Sequence, residues 1–280
     1  MTADAVGSVV GETPPIWADE AGPADGPLVV LVHGSMDRST GMLKLSRQLD
    51  RACRVVRYDR RGYGRSVAHH GAQHCAHPGP FHMERQVHDL AELLAGRPAV
   101  LVGHSYGGNV ALALAARHPH LVRAIAVYET PLSWEPWWPA HTAGAAAVAS
   151  AADPEAAAEQ FMRRMIGDAR WDGLPESTRA TRRLEGATMV AELADLRENA
   201  PWSADSIHVP VITGFGSLGS PHHRQGMHLV AEEIDGARVV ELPGCRHDAP
   251  LSHAALFADR LVHPLFGSLG AFDSLGASGR

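Results

Sequence analysis

Short, uninterrupted runs of Val, Ile and Leu alternate along this chain with segments of helical periodicity. That alternation narrows the possible fold more than any other feature. The runs are GPLVVLVHGS (26–35), CRVVRYDRRGYGRS (53–66), RPAVLVGHSYGG (97–108), HLVRAIAVYETP (120–131), VPVITGFG (209–216) and ARVVELPGCRHDAP (237–250). A strand that is apolar at successive positions is buried on both faces, and a sheet covered on both faces is a parallel one. Helical patterns fall between the runs, at Ser39–Leu49, Met83–Leu94, Tyr106–Arg117, Pro221–Ile234 and Ala249–Leu261. The reading is an α/β fold, a mostly parallel sheet flanked by helices. In such sheets the functional residues gather outside the carboxyl ends of the strands.

One stretch breaks the alternation. From Pro131 to Trp202 no strand-like run occurs, and alanine-rich segments bearing Arg and Glu are punctuated by Pro136, Pro139, Pro154, Pro175 and Pro201. This pattern predicts several helices inserted between two strands. The expected organisation is a core of residues 1–130 and 203–265, a helical cap over 131–202, and a flexible Gly/Ser-rich tail over 266–280.

Composition bounds the function. The 280 residues are 45% hydrophobic and 20% charged, with a formal net charge of −6. An acidic chain without clustered Lys and Arg is not expected to bind nucleic acid. No apolar stretch approaches the roughly 18 residues that span a bilayer. The first twenty residues lack the basic start and apolar run of a signal peptide. Cys53, Cys75 and Cys245 are odd in number and far apart, which points away from a disulfide scaffold and toward the cytoplasm.

The chemistry centres on Gly103-His104-Ser105-Tyr106-Gly107, a G-x-S-x-G motif. It ends a buried-strand pattern and opens a helix, and in that setting the small residues allow a sharp turn that presents the Ser105 hydroxyl above the sheet. A serine hydroxyl needs a base, and the base needs an orienting carboxylate. His247, just past the last strand pattern and just before a helix, is the candidate base.

With these residues in place, the sequence resembles the α/β-hydrolase superfamily. The resemblance rests on His33-Gly34 after an early strand, YDRRGYGRS (58–66), GHSYGG (103–108) and PGCRHDAP (243–250), and covers almost the whole chain outside the cap. It implies eight core strands, a lid inserted after the sixth, and a Ser-acid-His triad. It also implies an oxyanion hole formed by the backbone N–H groups of Ser35 and Tyr106. Asp59, Gly62 and Gly64 are read as loop scaffold, with Asp59 accepting from turn amides, and His104 as a packing residue beside the elbow.

The acid is where the chain departs from its relatives. The loop after VPVITG reads Gly214-Phe215-Gly216-Ser217-Leu218-Gly219-Ser220 and holds no carboxylate, although most relatives carry an aspartate there. Glu129, at the end of the strand that precedes the cap, is the candidate substitute, as in some relatives that place the acid after this strand. The competing reading makes it a structural carboxylate that caps the first lid segment or pairs with an arginine. Asp248, Asp205 and Asp195 are weaker candidates.

Trp134, Trp137 and Trp138 open the cap and either line an acyl pocket or fill the cap's own core. Arg163, Arg164, Arg182 and Arg183 are basic spots that either meet a substrate carboxylate or form the wet face of a helix. His69, His70, His74, His77, His82 and His88, with Cys75, follow no ligand spacing and read as a solvated loop; His222 and His223 read as polar surface. The functional expectation is a serine hydrolase cleaving a small-molecule ester, lactone or thioester through an acyl-enzyme on Ser105, without metal or other cofactor. The alternatives are a C–C bond hydrolase, an acyl transferase or cyclase, or a weakly active small-molecule receptor on the same scaffold. A serine nucleophile disfavours haloalkane dehalogenase and epoxide hydrolase chemistry, which use aspartate.

Overall fold

The structure, a computed structural model, describes residues 16–67 and 79–267. Seven strands form one sheet: β1 (Ala18–Ala21), β2 (Leu28–Val32), β3 (Arg54–Tyr58), β4 (Ala99–His104), β5 (Val122–Tyr128), β6 (Val211–Gly216) and β7 (Arg238–Leu242). Their order is β1-β3-β2-β4-β5-β6-β7. Every neighbouring pair is parallel except β1 with β3. The α/β-hydrolase arrangement holds, with seven strands among the described residues where the resemblance implies eight. The six apolar runs became β2 to β7. β1 was invisible because its Ala-Asp-Glu-Ala is half-buried or exposed throughout and carries no apolar stripe.

The continuous apolar runs have the expected cause. Val29, Leu31, Val100 and Val102 face one side of the sheet, against Leu45 and Leu49 of α1 (Leu43–Leu49) and Phe257 and Leu261 near the C-terminus. Val30, Val32, Leu101 and Val127 face the other side, against Val87 and Leu90 of α2 (Met83–Leu94) and Val110 and Leu112 of α3 (Tyr106–Arg117). Both faces are closed, so each such side chain contributes roughly 1.5–3 kcal/mol by leaving water.

Between β5 and β6 the chain forms five helices: α4 (Ala143–Ala149), α5 (Pro154–Ile166), α6 (Asp168–Asp172), α7 (Glu176–Leu184) and α8 (Gly186–Glu198). Among the described strands the insertion follows the fifth, β5. Asn109 of α3 holds the insertion at both ends. Its Nδ2 donates to the Pro131 carbonyl at 2.8 Å and its Oδ1 accepts from Trp202 Nε1 at 2.9 Å. α9 (Pro221–Glu233) then links β6 to β7. The C-terminal helical pattern is not one helix, since α10 (Ala249–Ser252) and α11 (Ala254–Phe257) are separated by His253 at φ −130°, ψ 42°. Helical structure continues through residue 267, so the segment expected to fray from 266 begins ordered; residues 268–280 lie outside the described residues. So do His69, His70, His74, His77 and Cys75. Cys53 and Cys245 are free and buried. Among the described residues no helix is long and apolar enough to cross a membrane.

The cap is fastened to the core by a buried ion pair. Arg60, after β3, donates to both carboxylate oxygens of Glu192 on α8 at 2.7 and 3.2 Å, and both side chains are fully buried. Tyr63 donates to the same carboxylate at 2.6 Å. Removing one partner strands a charge in the interior, which typically costs 3–5 kcal/mol. Glu192→Ala is therefore expected to lower Tm by on the order of 10 °C in differential scanning calorimetry. A Tm within about 2 °C of wild type would contradict this account.

Candidate active site

Ser105 stands one residue beyond β4, at φ 53°, ψ −127°. A non-glycine residue in that region is strained by roughly 1–3 kcal/mol, and the surroundings enforce it. A Cβ on Gly103 would lie 2.5 Å from the Gly108 Cα, and one on Gly107 would lie 2.2 Å from the Val32 carbonyl oxygen. Neither position tolerates a side chain while α3 packs this closely, so the G-x-S-x-G spacing follows from contact distance.

Glu129 occupies the matching place one residue beyond β5, also with positive φ, at 46°. The parallel register pairs His104 with Tyr128, so Ser105 and Glu129 emerge side by side at the carboxyl edge. Two backbone bonds extend the ladder past the strands, from Ser105 N–H to the Tyr128 carbonyl and from Glu129 N–H to the Gly214 carbonyl, each 2.9 Å.

His247 reaches the same edge from the loop after β7. Its Nδ1 lies 2.7 Å from Glu129 Oε2. An ionised carboxylate only accepts, so Nδ1 carries the proton and Nε2 of the neutral ring keeps its lone pair. The loop backbone is fixed by two side chains. His104 Nε2–H donates to the His247 carbonyl at 2.8 Å, and the Tyr128 hydroxyl donates to the Arg246 carbonyl at 2.9 Å.

The loop without an acid is shaped around the displaced one. Gly216 N–H donates to Glu129 Oε1 at 2.9 Å, and a Cβ on Gly219 would fall 2.2 Å from that oxygen. Ser217 and Leu218 bond to the Leu242 and Cys245 carbonyls, tying the loop to the segment that carries His247. Glu129 thus sits where a carboxylate from the 216–220 loop would otherwise have to point.

The sequence around His223, on α9, reads as polar surface, yet the residue belongs to this cluster. Its ring stacks on that of His247 with centroids 4.9 Å apart, and its Nδ1 lies 3.3 Å from Glu129 Oε2. Burial disfavours the charge on Glu129, but contacts with His223 and His247 outweigh it and hold the carboxyl well below its usual range. Burial pushes the other way on the imidazoles, lowering His223 to about 4, His104 to about 3 and His33 well below its ordinary value. The ligand atoms of Glu129, His223 and His247 lie within 4.8 Å of one another, so this trio could hold a metal ion. A metal there would take the Nδ1 that Glu129 now holds. His88, Asp89 and Glu92 also approach one another, but Asp89 is engaged by Arg61 and Arg85.

These shifts predict acid sensitivity. His33, His104 and His223 stay neutral when folded but bind protons near pH 6.5 when unfolded. Stability therefore falls as pH drops below about 6.5, by up to about 1.4 kcal/mol per pH unit for each group. Glu129 has a depressed folded pKa, so its contribution is intact above about pH 4.3 and is lost below it. Tm measured from pH 7.5 to 4 should decline from about pH 6.5 and steepen below about 4.5. A flat Tm between pH 7 and 5 would contradict the neutral-histidine account.

The turn at His33-Gly34-Ser35 packs against the nucleophile. A Cβ on Gly34 would lie 2.9 Å from Ser105 Cβ. The Gly34 carbonyl accepts from His33 Nδ1–H at 2.8 Å and from Arg60 Nη2 at 3.1 Å. Arg60 N–H in turn donates to His33 Nε2 at 2.9 Å, and Arg60 Nε–H to the His33 carbonyl at 2.9 Å. The carbonyl of Gly34 and the N–H of Ser35 belong to one trans peptide and point in opposite directions. Holding that carbonyl toward Arg60 therefore aims the Ser35 N–H away from it. No sequence signal marked Arg60 for this task, because Glu192 lies 132 residues away. Asp59 is a scaffold residue in the structure too, accepting from Ser39 N–H at 2.7 Å and Arg65 N–H at 2.9 Å.

Ser35, Ser105, Tyr106 and His247 all line one cavity of about 310 Å³ beneath the cap. Of the three cap tryptophans, only Trp138 is in its wall. Trp134 packs edge-on to Trp202 and Trp137 edge-on to Trp138, at 5.7 and 5.5 Å between centroids. Those two pack against neighbouring rings of the insertion, and Trp138 is the one of the three that borders the cavity among the described residues.

Over residues 29–260 the sequence matches the alpha/beta hydrolase family. The chain belongs to that family. This hydrolase is 29% identical over 213 residues to the pimeloyl-[acyl-carrier protein] methyl ester esterase of Neisseria meningitidis serogroup C, spanning 64% of this chain and 75% of that protein. Among solved structures it resembles a thermophilic esterase from Thermogutta terrifontis, with TM-score 0.65 and 22% identity over 85% of this chain and 88% of the other. It also resembles the enol-lactonase from Burkholderia xenovorans, with TM-score 0.63 and 22% identity over 87% and 94%. At such identities the structural likenesses speak to the fold alone. Family membership makes the protein an enzyme of the hydrolase kind.

Proposed function

We propose that this hydrolase cleaves small carboxylic esters, lactones or thioesters through an acyl-enzyme on Ser105. The observation that carries the reading is the 2.7 Å bond from His247 to Glu129, which leaves Nε2 of His247 as a free base in the cavity that Ser105 also lines. The esterase named among its relatives supports the ester class.

Ser105 Oγ adds to the substrate carbonyl as its proton passes to His247 Nε2. The negative charge that forms on the carbonyl oxygen is met by the N–H groups of Ser35 and Tyr106, a pair of donors of the kind whose single loss costs about 3–4 kcal/mol. The helix beginning at Tyr106 adds its positive end. The intermediate expels the alcohol or thiol, which takes the proton from His247. A water molecule then gives its proton to His247 and attacks the acyl carbon; Ser105 leaves with that proton, and the acid is released. Glu129 holds the imidazole tautomer and stabilises its cation throughout, and Trp138 borders the bound acyl group.

A fluorophosphonate probe tests the nucleophile directly. Mass spectrometry should place the adduct on Ser105 of the native protein, together with turnover of at least one class in a panel of short esters, lactones and thioesters. A native protein that takes no label on Ser105 would overturn the reading.

A further inference from the structure

Four arginines of the cap are neutralised by carboxylates. Arg163 meets Glu159, Asp168 and Asp172; Arg179 meets Asp172 and Glu176; Arg182 meets Glu185; Arg183 meets Glu159 and Glu176. Arg164 and Arg197 are different. Both line the cavity that holds Ser105 and His247. Arg164 Nη2 donates to the His141 carbonyl and Arg197 Nη2 to Thr142 Oγ1, each at 3.1 Å. Among the described residues neither has a carboxylate within ion-pair distance.

The cavity wall offers no internal substitute. Among the described residues it contains no Asp or Glu, and its other titratable groups are Tyr106, His141, His222, His223 and His247. The charge of Glu129 is already committed to His223 and His247. Partial burial of Arg197 lowers its pKa, yet a guanidinium remains charged at any working pH. A partly desolvated cation without a counter-charge is a standing cost that a bound anion would relieve.

The helices also place apolar surface beside each cation. Phe161 precedes Arg164 by three residues on α5, and Leu193 precedes Arg197 by four on α8, and all four side chains face the cavity. Side chains three and four apart share one helix face. An aliphatic segment can therefore lie on Phe161 and Leu193 with an anionic end at the guanidiniums, whose planar forks suit a carboxylate. A volume of about 310 Å³ is at the small end for ligand sites, which favours a compact molecule.

From this arrangement we propose that Arg164 and Arg197 form an anion subsite, and that the substrate is a small ester carrying an ionised carboxylate in addition to the scissile bond. The substrate half of this inference rests on the hydrolase reading of Ser105; the anion site does not.

Two pairs of probes test it and also tell which side of the ester bears the charge: monomethyl adipate against dimethyl adipate, and 6-acetoxyhexanoate against hexyl acetate. Binding to full-length Ser105→Ala is measured by calorimetry, and kcat/KM is measured on the native protein. In at least one pair the anionic member should bind about 10- to 100-fold more tightly, the scale of a charge-assisted contact. The anionic-to-neutral ratio should collapse toward one in Arg197→Met and in the more exposed Arg164→Gln, and fall with added salt in the unsubstituted arginine background. Equal binding of both members in both pairs overturns the proposal, as does a preference that survives both arginine substitutions. Should Ser105 fail to label or turn over, the hydrolase reading falls, while the calorimetric ratio still decides the anion site.

Discussion

Ser105→Ala is expected to lower kcat by at least about 10⁴-fold and to abolish fluorophosphonate labelling. The protein should remain folded, because the strain at position 105 is set by the backbone. The close approach of Gly103 to Gly108 and of Gly107 to Val32 is unchanged by the substitution, and so is the bond from residue 105 N–H to the Tyr128 carbonyl. Alanine keeps the Cβ and with it the same unfavourable φ and ψ. Tm should therefore stay within about 2 °C of wild type, which separates lost chemistry from lost structure. Turnover within tenfold of wild type in a folded variant would mean that another group is the nucleophile.

Glu129→Gln is expected to lower kcat by about 10³- to 10⁴-fold with a much smaller change in KM. The substitution preserves shape and leaves an amide oxygen to accept from Gly216 N–H. What it removes is the demand that His247 Nδ1 carry the proton. A glutamine nitrogen at the Oε2 position would donate to Nδ1, move the proton to Nε2, and leave the ring without a base facing Ser105. It would also withdraw the negative charge that stabilises the imidazolium. The acid limb of the Tm profile gives an independent readout. Below about pH 4.3 the carboxylate takes up a proton in the unfolded chain while the folded one resists it, so its contribution shrinks and the Tm gap between wild type and Glu129→Gln should narrow there. A kcat within threefold of wild type would show Glu129 to be a structural carboxylate, as the competing reading of the sequence had it.

The elements that the sequence revealed are those whose cause is local. β4 could be read because it is buried on both faces and so apolar at almost every step. The elbow could be read because the contacts that demand glycine at 103 and 107 come from the strand-to-helix turn itself and the adjacent strand. Glu129 is favoured over Asp248 in the sequence because the resemblance puts its strand beside the nucleophile strand, while a side chain adjacent to the base rarely bends back to it. β1 escaped notice because an edge strand with a polar face leaves no apolar run.

The remaining features arise from residues far apart in the chain. His223 looks like a solvated histidine at the start of a helix until α9 is packed against the loop that carries His247. Arg60 is one of two adjacent arginines in a turn, and nothing nearby distinguishes it from Arg61. Its partner Glu192 is on a cap helix, so the group that holds the guanidinium against the Gly34 carbonyl comes from 132 residues away. Trp134 and Trp137 shared a motif with Trp138, but which of the three rings reaches the cavity depends on Trp202 filling the space beside Trp134.

The sequence by itself determined the layered α/β architecture and the position of the bend that presents Ser105, because burial period and turn sterics are written within a few residues of each; it also offered Ser105, His247 and Glu129 as the side chains of the proposed triad. Only the tertiary structure decided how Glu129 is accommodated by the acid-free loop, how a buried Arg60–Glu192 pair ties the cap to the Ser35 turn, and that Arg164 and Arg197 face the cavity without counter-charges among the described residues. Those outcomes depend on which distant groups share a low-dielectric interior, where a missing partner or an unopposed charge weighs several-fold more than it does in water.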